Sequence, residues 1–148
     1  MKPDDLIGVG WLTIEYCKKV SLPVTKLGLM KWVVIENTNY IEFVHSEQNT
    51  TDDIPFTNTT SFFIQNSTLQ KFSYNASKSS TIGYLSLEGV KVIDEIVFSN
   101  IEINTLEISN CEINKIRTEA LDVEVTNVLK IQNNGFKEVE SNAFKKLR

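Results

Sequence analysis

The sequence predicts a repeat solenoid in which short parallel β-strands stack along one side. Three observations lead there. Aliphatic residues return in one register along almost the whole 148-residue chain. Within each unit they alternate with a period of two, as inward side chains of a strand do. Each unit alone carries too little apolar surface to fold, so stacking on a neighbour must supply the rest of the core.

Six units start near residues 9, 30, 59, 82, 103 and 126. The unit at Ile103 shows the register best, with Ile103, Leu106, Ile108, Cys111, Ile113 and Ile116 at positions 1, 4, 6, 9, 11 and 14, then Ala120-Leu121 at 18 and 19. The next unit repeats it with Thr126, Leu129, Ile131, Asn134, Phe136 and Val139, then Ala143-Phe144. Earlier copies read Ile82, Leu85, Leu87, Val90, Val92, and Thr59, Phe62, Ile64, Ser67, Leu69, Phe72. The two N-terminal copies are weaker: Met30, Val33, Ile35, Thr38, Tyr40, Phe43, and Val9, Leu12, Ile14, Cys17.

The sixth position thus reads Ile14, Ile35, Ile64, Leu87, Ile108 and Ile131, at spacings of 21, 29, 23, 21 and 23 residues. The long spacing places a loop insertion at 44–58, bulging from the side away from the strands. The 21-residue spacing before Ile108 reflects Val97-Phe98 at positions 16 and 17 instead of 18 and 19. Positions 4 and 6 are expected inward, and positions 3, 5 and 7 outward.

Leu106-Glu-Ile108-Ser-Asn-Cys111-Glu-Ile113 and Leu129-Lys-Ile131-Gln-Asn-Asn134-Gly-Phe136 resemble the leucine-rich repeat, L-x-x-L-x-L-x-x-N/C-x-L. The endings Ile116…Ala120-Leu121 and Val139…Ala143-Phe144 look like those of the extracellular animal type. The likeness is strong over 82–148, moderate over 59–81 and weak over 1–58. It implies an α/β solenoid: a right-handed superhelix with parallel strands on the concave face and a mostly irregular or short helical convex side. The ninth position departs from the family pattern, reading Cys17, Thr38, Ser67, Val90, Cys111, Asn134 where Asn is usual. That position normally satisfies buried backbone groups, so Val90 requires another partner for them.

Composition excludes several function classes. A net charge of −4 without a basic patch argues against nucleic-acid binding. No run of about 18 apolar residues predicts a membrane-spanning helix. One histidine, His45, cannot build a triad or a multi-histidine zinc site, and it falls in the predicted loop. The six glycines form no phosphate loop or dinucleotide fingerprint, and Asp52-Asp53 reads as a solvated turn rather than a calcium site. No cofactor is expected. Met1 opens without a signal-peptide pattern and Arg148 closes mid-pattern, so the chain reads as a fragment.

Cys17 and Cys111 share the ninth position four units apart, roughly 19 Å at about 4.8 Å per step, which is beyond the reach of a disulfide. Both are expected free, buried and inert. Four glycosylation acceptors, Asn49, Asn58, Asn66 and Asn75, fall in the loop or on turns. They point to the secretory pathway and to a secreted or cell-surface location.

Function in a repeat solenoid sits on outward strand positions, because the inward ones are committed to the core. Trp11, Trp32 and Tyr84 fall at position 3 and Phe63 at position 5, with Glu15, Glu36 and Glu88 at position 7 and Glu107 and Lys130 at position 5. Aromatic anchors beside charge are what protein interfaces use. The reading is a non-catalytic recognition module that binds a protein ligand or receptor carrying apolar and basic groups. Its expected contacts are Trp11, Trp32, Glu36, Phe63, Tyr84, Glu88, Glu107 and Lys130. A rival reading has Trp11 and Trp32 capping the core end of degenerate units. Two further alternatives are a parallel β-helix enzyme acting on polysaccharide, with Glu15, Glu36 and Glu88 as its carboxylates, and a cytosolic repeat adaptor.

Overall fold

The structure, a computed structural model, describes residues 10–23, 27, 30–44 and 60–148, and at 23 and 75–79 the backbone alone. The predicted insertion, with His45, Asn49, Asp52, Asp53 and Asn58, lies outside the described residues but for Val44.

The chain winds as a parallel β-solenoid. The first sheet stacks β1 (Trp11–Glu15), β3 (Trp32–Glu36), β5 (Ser61–Gln65), the end of β7 (Phe72–Glu88), the end of β8 (Lys91–Ser109) and β10 (Leu121–Gln132). All these pairings are parallel. Their register pairs Ile14 with Ile35, Ile35 with Ile64, Ile64 with Leu87, Leu87 with Ile108 and Ile108 with Ile131, as the repeat requires. A second sheet stacks β2 (Val20–Pro23), β4 (Ile41–Val44), β6 (Thr68–Leu69), the start of β8, β9 (Glu112–Ile116) and β11 (Gly135–Val139).

The return side differs from the expected irregular or helical one. Phe72–Asn75 pairs with Ile96–Ser99, and Leu121 pairs with Phe98, so β7 and β8 are long because they run round a corner into a third strand face. Among the described residues only Leu27 is α-helical, and Ser141–Lys146 forms turns. The physical reason is composition: Phe72, Tyr74, Ile96, Val97 and Phe98 are aromatic or β-branched and prefer a pleated surface. The pairing of Leu121 with Phe98 sets position 19 of one unit against position 17 of the other, which is how the 21-residue unit is absorbed.

The core follows the columns. Val33, Phe62, Leu85 and Leu106 at position 4 and Ile35, Ile64, Leu87 and Ile108 at position 6 are buried. Phe43, Phe72 and Phe98 continue it as a row of rings, Phe43 stacked on Phe72 at 4.9 Å and Phe72 meeting Phe98 edge-on at 5.1 Å. In the last coil Leu129 is exposed, and Ile131 and Phe136 are half-buried. One assignment slips: in the first two units the inward residue of the second strand is Val20 or Ile41, and Tyr40 is half-buried beside it. Two residues instead of one separate the ninth position from that strand there.

The turn joining the two sheets has one conformation in all six coils. Tyr16, Asn37, Asn66, Gly89, Asn110 and Asn133, all at position 8, have φ between 46° and 62°. Asn and Gly tolerate this left-handed region best, because a larger Cβ substituent crowds the following carbonyl. After the turn, the ninth side chain reaches back to the carbonyl two residues earlier: Thr38 Oγ1 to Glu36 at 3.1 Å, Ser67 Oγ to Gln65 at 2.7 Å, and Cys111 Sγ to Ser109 at 3.2 Å. Asn134 donates from Nδ2 to Ile108 O and accepts the Cys111 amide on Oδ1. Val90 cannot take part. The Cys111 thiol instead reaches Leu87 O at 3.4 Å, and Glu88 O accepts from the Asn66 amide. Both cysteines are free. Cys111 is buried and burial pushes its thiol pKa up, which suits an inert group; Cys17 is only half-buried.

Candidate recognition face

The outer side of the first sheet brings the predicted aromatic residues together. The indoles of Trp11 and Trp32 stack with centroids 5.9 Å apart, Trp32 meets Phe63 at 4.8 Å, and Phe63 stacks on Tyr84 at 5.0 Å. Four consecutive coils therefore carry one continuous ladder of rings. In-register pairing explains it: Trp11 sits opposite Trp32, and Phe63, one outward position along, fills the place that Ser61 leaves without a ring.

Trp11 is 72 % exposed and Trp32 38 %. Neither belongs to the core cluster, so they do not cap the core end. The rings are held by each other and by the strands beneath.

An acidic column runs beside the ladder. Glu15, Glu36, Gln65 and Glu88 are successive partners at position 7, about four residues and therefore about 13 Å along the strand from position 3. Gln65 Nε2 donates to Glu88 Oε2 at 3.5 Å. The Tyr84 pKa is raised, first by burial and then by the neighbouring Glu107 and the charge of Glu88. Among the described residues no ion pair involves Glu15, Glu36, Glu88 or Glu107. Lys130 is paired in register with Glu107 but makes no ion pair with it, and it stands two coils beyond Tyr84, away from the ladder.

Other predicted positions lie elsewhere. Asn66 is exposed, but its left-handed turn already accounts for an asparagine there. Asn75 has its backbone in β7, where it pairs with Ser99. An open groove of about 690 Å³ lies on the second sheet, lined in part by Lys91, Ile93, Glu112, Asn114 and Lys137. It gathers no set of reactive groups. Among the described residues, no three His, Cys, Asp or Glu side chains converge as metal ligands, and no helix is long and apolar enough to cross a membrane.

The class these features define is a parallel-strand β-solenoid with one aromatic, acid-edged face. No protein-family model, curated protein or solved structure matches the chain.

Proposed function

We propose that the chain is a recognition module that binds a protein partner through the outer face of its first sheet and catalyses no reaction. The single observation that carries this reading is the ladder from Trp11 to Tyr84, lying on the surface and bordered by carboxylates that no base among the described residues engages. Large rings held rigid before binding contribute contact area at little entropic cost, and neighbouring unpaired charge selects a partner of opposite sign. Trp11, Trp32, Phe63 and Tyr84 are the anchors; Glu36, Glu88 and Glu107 supply the sign; Lys130 lies at the far margin.

The repeat spacing and the ninth-position hydrogen bonds support a relation to leucine-rich-repeat ectodomains, with this face as the concave one. The acceptors at Asn49, Asn58, Asn66 and Asn75 support passage through the secretory pathway, to the cell exterior or the cell surface. Mass spectrometry of secreted material tests this last point, since a cytosolic adaptor would carry no glycan.

The experiment for binding is an extracellular-protein array probed with the wild-type chain and with Trp32→Ala and Phe63→Ala. Binding lost with the fold intact upholds the reading. Lost stability with unchanged binding sinks it.

The strand returns favour a second reading, because a multi-faced coil is also the architecture of parallel β-helix enzymes acting on polysaccharide. Fold does not carry function. Activity on acidic glycans that disappears in Glu36→Gln and Glu88→Gln would replace the first reading by this one.

A further inference from the structure

We infer that the segment this face accepts is a basic amphipathic α-helix lying along the solenoid axis. This rests on the reading just given and narrows its partner to one shape and one charge pattern.

The dimensions carry the argument. The aromatic ridge, at position 3 for Trp11, Trp32 and Tyr84 and at position 5 for Phe63, and the acidic column at position 7 both cross the strands, about 13 Å apart and about 6.6 Å at Phe63. An α-helix with its side chains is about 10–12 Å across, so one laid on the ridge also reaches the acidic rail. Successive rungs are about 4.8 Å apart, while successive helical turns advance about 5.4 Å. Over the four rungs from Trp11 to Tyr84 the two repeats stay nearly in step, so three turns of helix can each meet a ring. A fully extended peptide advances about 6.6 Å between like-facing side chains and drifts out of step after two rungs.

The strip between the ridge and the acidic rail suits this occupant. Ser86, though outward-facing, is buried, and Val34 and Phe63 are half-buried, whereas Trp11, Glu15 and Glu88 stand exposed. Charge fixes the orientation. The apolar stripe of the helix lies over Trp32, Phe63 and Tyr84, and its lysines or arginines lie over Glu15, Glu36 and Glu88. Those carboxylates carry no competing ion pair among the described residues.

The chain reports its own occupancy, because its two tryptophans, Trp11 and Trp32, both lie in the ladder. The probes are three synthetic 18-residue peptides of leucine and lysine. One has leucines at helical i, i+3, i+4, i+7 spacing, one has the same composition scrambled, and one has the helical order with a central proline. Tryptophan emission and calorimetry follow each titration, with unfolding curves recorded for every variant.

The expected result is that the helical peptide shifts the emission and binds at least about tenfold more tightly than the other two. Phe63→Ala should weaken it about tenfold or more, as loss of an interface anchor does. The pair Glu36→Gln and Glu88→Gln, which removes no packing, should weaken it and flatten its salt dependence. Glu112→Gln on the second sheet should leave it unchanged. Equal binding by all three peptides, still lost in the Phe63 and Glu36/Glu88 variants, overturns the helix and leaves the recognition face standing. Binding indifferent to those variants, or no emission change with any peptide, overturns both.

Discussion

Two sides of the solenoid use the same residue types for opposite ends. Around the second sheet and the return corner, several acids are paired from coil to coil. Lys71 Nζ lies 2.7 Å from Glu95 Oε1, and Arg117 Nε lies 2.6 Å from Glu95 Oε2, so one buried carboxylate ties three successive coils. Its Oε2 makes no aligned hydrogen bond, which marks the Arg117 contact as ionic. Lys115 bridges Glu138 and Glu140, and Glu119 meets Lys145 and Lys146. On the outer face of the first sheet, Glu15, Glu36, Glu88 and Glu107 find no base among the described residues. Charge on the paired side holds coil to coil; the charge beside the aromatic ladder makes no ion pair among the described residues.

Both sides rest on the inward spine, and breaking that gives the largest effect. Leu87→Ala removes a fully buried side chain between Ile64 and Ile108, and should cost roughly 2–5 kcal/mol in urea unfolding. Glu95→Ala comes next, at about 1–2 kcal/mol. Removing one partner of a fully buried pair costs more, but the bases it leaves behind are partly exposed and regain water. A Glu95→Ala protein as stable as wild type would erase the contrast between the two sides.

How far the sequence foretold this depends on which force set each column. The inward columns were legible because burial leaves no freedom: a one-residue slip would turn every aliphatic outward. The free cysteines followed from that register alone. The strand returns were harder to read, since a hydrophobic spacing suits a short helix or a buried strand alike, and only the aromatic and β-branched bias of 72–74 and 96–98 separates them. Position 8 was readable yet unread: Asn37, Asn66, Gly89, Asn110 and Asn133 share one register, the signature of a backbone held at positive φ. Tyr16 hid it by placing a bulky residue at φ 54°. The aromatic strip was visible as residues, but not the contact of Phe63 with rings on both sides, because it enters from position 5 instead of 3.

That turn yields a smaller, separable effect. A Cβ added at Gly89 would sit 2.7 Å from Asn66 Oδ1, at a φ of +62°. Gly89→Ala should cost about 1–2 kcal/mol through the left-handed backbone and this contact. In an Asn66→Gly background the contact disappears and the cost should fall toward the backbone share. Equal costs in both backgrounds would show that the Asn66 side chain moves aside freely.

Smaller still is a pH effect confined to the paired side. The Thr118 amide and then Lys115 hold the Glu140 pKa down to about 2. A carboxylate depressed below its unfolded value of about 4.5 stabilises the fold above that pH, and its contribution fades as pH falls from 4.5 toward 2. Glu140→Gln should flatten the stability profile across that window and leave it unchanged near neutrality in shape. A mutant profile as steep as wild type would move the acid sensitivity to other carboxylates.

The smallest expected effect on stability is the one on which the comparison turns. Glu36→Gln with Glu88→Gln exchanges two acids that form no ion pair among the described residues for neutral isosteres, so unfolding should shift by no more than about 0.5 kcal/mol, and upward if like charges in the column repel. Glu95→Gln, by contrast, should destabilise, because its charge is held between Lys71 and Arg117. Two substitutions of identical chemistry would then differ in sign or size solely by which side they occupy. If Glu36 and Glu88 proved as costly to neutralise as Glu95, their charge would serve folding, and an acidic rail kept open for a cationic partner would lose its footing.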